Sequence, residues 1–136
     1  MRMFALAAAL SFVSAAVFAG FSMGGYVAME IVRQDPARVA GIALVDTKAT
    51  ADNDEAREHR LKVADQVLSS GSADALARAM VPTLLGTTTQ EERPAVVEQV
   101  KSWIAAADPA AVAWAQRAMA ARPDSLPDLA SLADQV

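Results

Sequence analysis

The hexapeptide Gly20-Phe21-Ser22-Met23-Gly24-Gly25 constrains this chain more than any other stretch, because of what flanks it. A small and apolar run, Ala15 to Ala19, comes before it, and a proline-free stretch, Tyr26 to Gln34, comes after. The first reads as a strand. The second reads as the body of a helix that opens at Met23. A strand turning directly into a helix leaves no loop to absorb the change of direction, so the serine between them takes a strained backbone costing on the order of 1–3 kcal/mol. Side chains two positions to either side are expected to collide with the strand or the helix, which explains Gly20 and Gly24. Gly25 gives further room where helix and strand pack. The first helical turn aims unpaired N–H groups at the serine.

The residues that follow fit one supersecondary unit. Val27 and Ile31 fall on one helical face, and Glu30 and Arg33 are spaced for an ion pair. Asp35-Pro36 ends the helix, because a residue before proline is pushed out of the α region. Val39 to Val45 is wholly apolar without alternation, as expected of a parallel strand buried on both faces. Residues 15 to 46 therefore read as a β-α-β unit with Ser22 at the carboxyl end of its first strand, where open α/β sheets place their sites.

The remainder reads as helical. Asp52 or Asn53 caps a helix running to Ser70, with Gly71 as its stop. Ser72 caps a second helix carrying Leu76, Met80 and Val81, which Pro82 interrupts. Thr89 to Glu92 has the spacing of a capping box for a third helix running to about Ala106, with Val96, Val97, Val100, Trp103 and Ile104 facing inward. Asp108-Pro109 opens a fourth, stopped at Arg122-Pro123. Residues 124 to 133 read as one more short helix. Trp103, Trp114, Met80 and Met119 are read first as packing residues. The charged run Asp52 to Lys62 reads as a solvated helix face and not as a metal site, since its single histidine, His59, lacks any ligand spacing.

The motifs together resemble the α/β-hydrolase fold family. The residues carrying the resemblance are Gly20 to Glu30, then Pro36-Ala37-Arg38-Val39, then Ile42-Ala43-Leu44-Val45-Asp46-Thr47. It implies a partial α/β-hydrolase fold, with one parallel β-α-β unit followed by a mostly helical cap. The segments are then an apolar N-terminal piece (1–14), the β-α-β unit with the nucleophile elbow (15–50) and the helical cap region (51–136). The implied activity is that of small esterases and lactone-cleaving hydrolases, with small-molecule ester or lactone substrates and no metal or organic cofactor. Ser22 would be the nucleophile and the Met23 backbone N–H an oxyanion donor. Asp46 matches a position from which some relatives take their acid, although it also reads as an aspartate organising the next turn. Phe21, Trp114 and Met119 would line the substrate pocket.

A serine nucleophile needs a base and an acid to orient it, and the family order is serine, acid, histidine. His59 lies at the start of the cap region, not after a strand beyond it. The family also builds several strands ahead of the elbow, and here only residues 1–14 precede that strand. The chain is thus expected to match the middle of such a hydrolase and to turn over little or no ester by itself. Two exposed strand edges would favour self-association.

Other readings stay open. One is a truncated, non-enzymatic helical protein. Another is a secreted or membrane-tethered helical protein in which GFSMGG is incidental. Met1-Arg2 followed by an apolar run to Ala19 mimics a secretory signal, yet cleavage after Ala19 would remove the elbow strand. A cytoplasmic location is the expectation unless that signal is real. The chain has 12 basic and 16 acidic residues, a net charge of −4, and no basic patch, so nucleic acid is not an expected partner. It has no cysteine, which excludes disulfides and thiol catalysis.

Overall fold

A computed structural model describes residues 15–133. The expectations for residues 1–14, as a helix or a signal-like segment, lie outside the described residues. Within them, β1 (Ala16–Phe21) leads through Ser22 into α1 (Met23–Gln34). A short 3₁₀ turn (Pro36–Arg38) then delivers the chain to β2 (Val39–Val45). The two strands are parallel, and Val17, Phe18, Ala19, Gly20 and Phe21 pair with Gly41, Ile42, Ala43, Leu44 and Val45. The first strand runs two residues beyond the expected Ala19, because Gly20 and Phe21 still find partners on β2.

Helix α1 covers one face of this pair. Its buried residues are Gly25, Ala28, Met29 and Val32, at the spacing of a single helical face. Val27, expected on an apolar face with Ile31, is exposed, since the face toward the strands is centred on Met29 instead. Val32 and Val39 are buried together with Leu132, and Phe18, Ile31 and Ile42 pack against them. The opposite face is bare: Val17 is 72% exposed and Phe21 67%. The expected burial of both faces is therefore not met among the described residues, where one helix covers one face.

Five helices follow, then a last one: α2 (Asp54–Ser70), α3 (Asp74–Leu84), α4 (Thr87–Glu92), α5 (Pro94–Ala105), α6 (Pro109–Ala121) and α7 (Leu126–Ala133). The Asn53 side chain accepts from Ala56 N–H, and Gly71 closes α2 in the left-handed conformation (φ 63°). Pro82 does not interrupt α3, which continues to Leu84; it forfeits the ladder bond to the Arg78 carbonyl, while the turn beyond it still closes with Leu85 N–H on the Val81 carbonyl (3.1 Å). The third helix is split. Pro94 pushes Arg93 out of the α region (φ −129°, ψ 61°) and takes the first position of α5. Thr89 consequently lies inside α4 and caps nothing, and the capping box is not formed. Of the residues expected to face inward from α5, Val96 and Trp103 are exposed.

By contacts the chain divides into two units, one ending at Ala51 and resuming at Arg122, the other Asp52–Ala121. The second unit is organised by α2 against α6 and α3 against α5. Its buried residues are mostly small, with Ala64, Val67, Ala77, Val81, Ala113 and Ala120 allowing close helix approach. An Arg60–Asp52 ion pair and an Arg117–Asp65 pair (2.9 Å) add polar ties within it.

In the first unit, α7 packs on α1. Arg33 Nε donates to Asp128 Oδ2 (2.9 Å), its Nη2 donates to Ser125 Oγ (3.0 Å), and its Nη1 pairs with Glu30. The Arg122 guanidinium lies 4.1 Å from the Tyr26 ring centroid, and Arg122 Nη1 donates to the carbonyls of Lys48 (3.2 Å) and Thr50 (2.6 Å). The Arg33 bonds fasten α7 and the residue before it to α1, and the Arg122 contacts tie the segment ahead of α7 to Tyr26 and to the stretch after β2.

Candidate active site

Ser22 joins β1 to α1 with φ 50° and ψ −117°. A positive φ is uncommon for any residue but glycine, and this ψ lies outside the left-handed helical well, so the conformation is strained. It holds because the surroundings over-determine it. Ser22 N–H donates to the Val45 carbonyl (3.0 Å), continuing the parallel ladder one step past β1. The Ser22 carbonyl accepts from Gly25 N–H (3.0 Å) and from the Thr47 hydroxyl (2.8 Å). Ser22 itself is exposed.

Two glycines make this geometry feasible, Gly20 and Gly25, both as expected; the clash expected at Gly24 is absent. A Cβ on Gly20 would sit 2.4 Å from the Gly24 carbonyl oxygen and 2.6 Å from Gly25 Cα. One on Gly25 would sit 2.5 Å from Thr47 Oγ1. A Cβ on Gly24 would meet open space. The close approach is between the β1 backbone at Gly20 and the backbone of the first helical turn. Gly24 contributes the carbonyl in that contact, and its own side-chain direction points away.

Met23 is the first residue of α1, so its N–H has no intrahelical acceptor. It is a donor beside the serine at the positive end of a helix. Phe21, the last residue of β1, is exposed beside the turn. Asp46 follows β2 directly, is exposed, and has φ 47°. Among the described residues its carboxylate makes no hydrogen bond or ion pair. The β1–β2 register sets Ser22 and Asp46 at neighbouring strand ends.

The remaining candidates belong to the second unit. Trp114 lies on α6 and is 73% exposed, so it is not a packing residue there; Trp103 on α5 is 67% exposed. Met119 is half-buried, with its sulfur 3.3 Å from Arg60 Nη1. His59 lies on α2, exposed, and borders an open groove of about 590 Å³ with Val63, Leu76 and Met80. Among the described residues no three His, Cys, Asp or Glu side chains gather as metal ligands would. None of their helices is long and apolar enough to cross a membrane.

Thr47 closes the strand motif that carries the family resemblance, but its role at the elbow was not legible in the sequence. Its contact with Ser22 spans 25 residues, and no local periodicity marks it. A signal for the contact itself was Gly25, whose missing side chain implied a close neighbour.

No family model matches the chain, and no curated protein matches it. Solved structures do, among them two hydrolytic enzymes. A thermophilic esterase from Thermogutta terrifontis, solved with malate bound, is 39% identical with a TM-score of 0.80; the match covers 93% of this chain and 46% of that one. A hydrolase from Pseudomonas aeruginosa PA01 is 22% identical with a TM-score of 0.69, covering 88% of this chain and 44% of that one. The chain thus spans under half the length of each of these proteins.

Proposed function

We propose, from its membership of the α/β-hydrolase fold family, that this chain carries the nucleophile of a serine hydrolase cleaving carboxylic ester or lactone bonds. The observation that carries the reading is the Ser22 conformation. An exposed serine with φ 50° between a strand end and a helix start is costly to maintain. Such strain gathers where it serves chemistry.

In the proposed reaction Ser22 Oγ attacks the substrate carbonyl carbon while a general base takes its proton. The carbonyl oxygen becomes an oxyanion, held by Met23 N–H as one donor. The intermediate collapses, the ester C–O bond breaks, and the alcohol leaves with a proton. Water then attacks the acyl-serine, and the acid product is released. Asp46 stands one strand over as the candidate acid, with no contact among the described residues that would hold its carboxylate elsewhere. Phe21 is the candidate wall beside the serine, and Trp114 and Met119 are candidate pocket residues from the cap. The base is assigned to no described residue. Turnover is therefore proposed for a protein carrying the rest of the fold, and nucleophile presentation for this chain.

A fluorophosphonate probe tests this directly. Stoichiometric labelling of Ser22, abolished in Ser22→Ala, is the expected result. Labelling elsewhere, or none in a protein completed with the remaining fold, would reject the reading.

A further inference from the structure

The Ser22 carbonyl and the Met23 N–H are two ends of one peptide group. That group is planar and trans, so fixing the direction of one end fixes the other. The carbonyl is held by two donors from different parts of the chain. Gly25 N–H belongs to the same helical turn and follows it if the turn rocks. The Thr47 hydroxyl, at 2.8 Å, comes from the segment after β2 and ties the peptide to an external frame.

The placement of Thr47 is itself tightly specified. Asp46 turns the chain with φ 47° at the end of β2, which brings Thr47 back toward the elbow. Thr47 then fills the space that Gly25 leaves bare: its Oγ1, Cγ2 and Cβ lie 2.5, 2.6 and 2.7 Å from where a Gly25 Cβ would stand. The side chain is wedged against the first helical turn, with its hydroxyl on the carbonyl.

We propose that Thr47 is a positioning residue that aims the Met23 N–H from behind, through the Ser22 carbonyl. The proposal rests on the reading of Met23 N–H as an oxyanion donor. Two effects follow from the one bond. The peptide plane loses its freedom to tilt, so the N–H keeps its direction as negative charge develops in front of it. Donation to the carbonyl also polarises the peptide, which strengthens its N–H as a donor.

The experiment compares Thr47→Val, which keeps the shape without the hydroxyl, with Thr47→Ala, which cannot clash, and Thr47→Ser, which restores the hydroxyl. Two readouts are taken on the full chain. The first is the NMR shift of the Ser22 carbonyl carbon and of the Met23 amide. Both should move in the Val and Ala variants and return in the Ser variant. The second is the rate of Ser22 phosphonylation by a fluorophosphonate. It should fall about 10-fold in Val and Ala, part of the roughly 100- to 1,000-fold that deleting an oxyanion donor costs, and recover in Ser. Unmoved shifts overturn the proposal, as do moved shifts with an unchanged rate. If wild-type Ser22 does not react even in a protein completed with the remaining fold, the hydrolase reading fails. The positioning role then stands or falls on whether the Met23 amide follows the Ser22 carbonyl through the three variants.

Discussion

Ser22 and Asp46 occupy equivalent places, each one residue beyond the end of a paired parallel strand, and both hold positive φ (50° and 47°). Among the described residues they are the two non-glycine positions that do so. The strands end level, and each chain must turn sharply away from the sheet edge. Their ease differs: aspartate tolerates left-handed geometry comparatively well, and serine at ψ −117° does not.

Replacing Ser22 by glycine should therefore stabilise the protein. The relief of about 1–3 kcal/mol of strain outweighs the roughly 0.5–1 kcal/mol of extra chain entropy that glycine loses on folding. A rise of about 1 kcal/mol in unfolding free energy is expected from urea denaturation. A fall would show that the serine is not strained.

The three elbow glycines should respond differently to alanine. Gly20→Ala and Gly25→Ala force a Cβ to within 2.4 and 2.5 Å of its nearest neighbour and should each cost about 2 kcal/mol or more. Gly24→Ala meets nothing and sits in the first turn of α1, so it should gain up to about 1 kcal/mol. Denaturation midpoints of the three variants check the order, and equal losses would contradict the geometry.

Helix α2 is closed by side-chain chemistry at one end and backbone chirality at the other. Asn53→Ala removes the acceptor for Ala56 N–H (2.9 Å) and should cost about 1 kcal/mol. Gly71→Ala places a Cβ at φ 63° and should cost about 1–2 kcal/mol, although a Cβ there meets no other atom. Loss of amide protection at the corresponding end of α2 would identify each effect.

Arg33 should control the last helix. Its bonds to Asp128 and Ser125 join α1 to α7 across more than 90 residues. Removing them in Arg33→Met should cost about 1–2 kcal/mol, because charge-assisted bonds between half-buried groups are lost. Amides of 129–132 should exchange faster in this variant while those of α2 keep their protection. Uniform acceleration across the chain would mean that α7 does not open separately.

Much of this protein was determined by residues near one another in sequence. The bounds of α1, the Asn53 cap and the Gly71 stop all follow from interactions spanning four residues or fewer, together with the bar that proline places on its predecessor. The elbow was legible for the same reason, since Gly20 to Gly25 contains the turn and the start of the helix that the turn feeds. Pro94 outweighed the apparent capping box of Thr89 to Glu92, because a missing N–H and a ring clash act more strongly than one side-chain cap. Tertiary structure decided what depended on distant partners. It settled that Gly25 joins Gly20 in having to lack a side chain while Gly24 need not, because Gly25 is measured against Thr47, 22 positions on. It fastened α7 to α1 through Arg33, and it left Trp103 and Trp114 exposed although apolar spacing favours burial. Packing faces are fixed by how whole elements meet, and no local pattern carries that geometry.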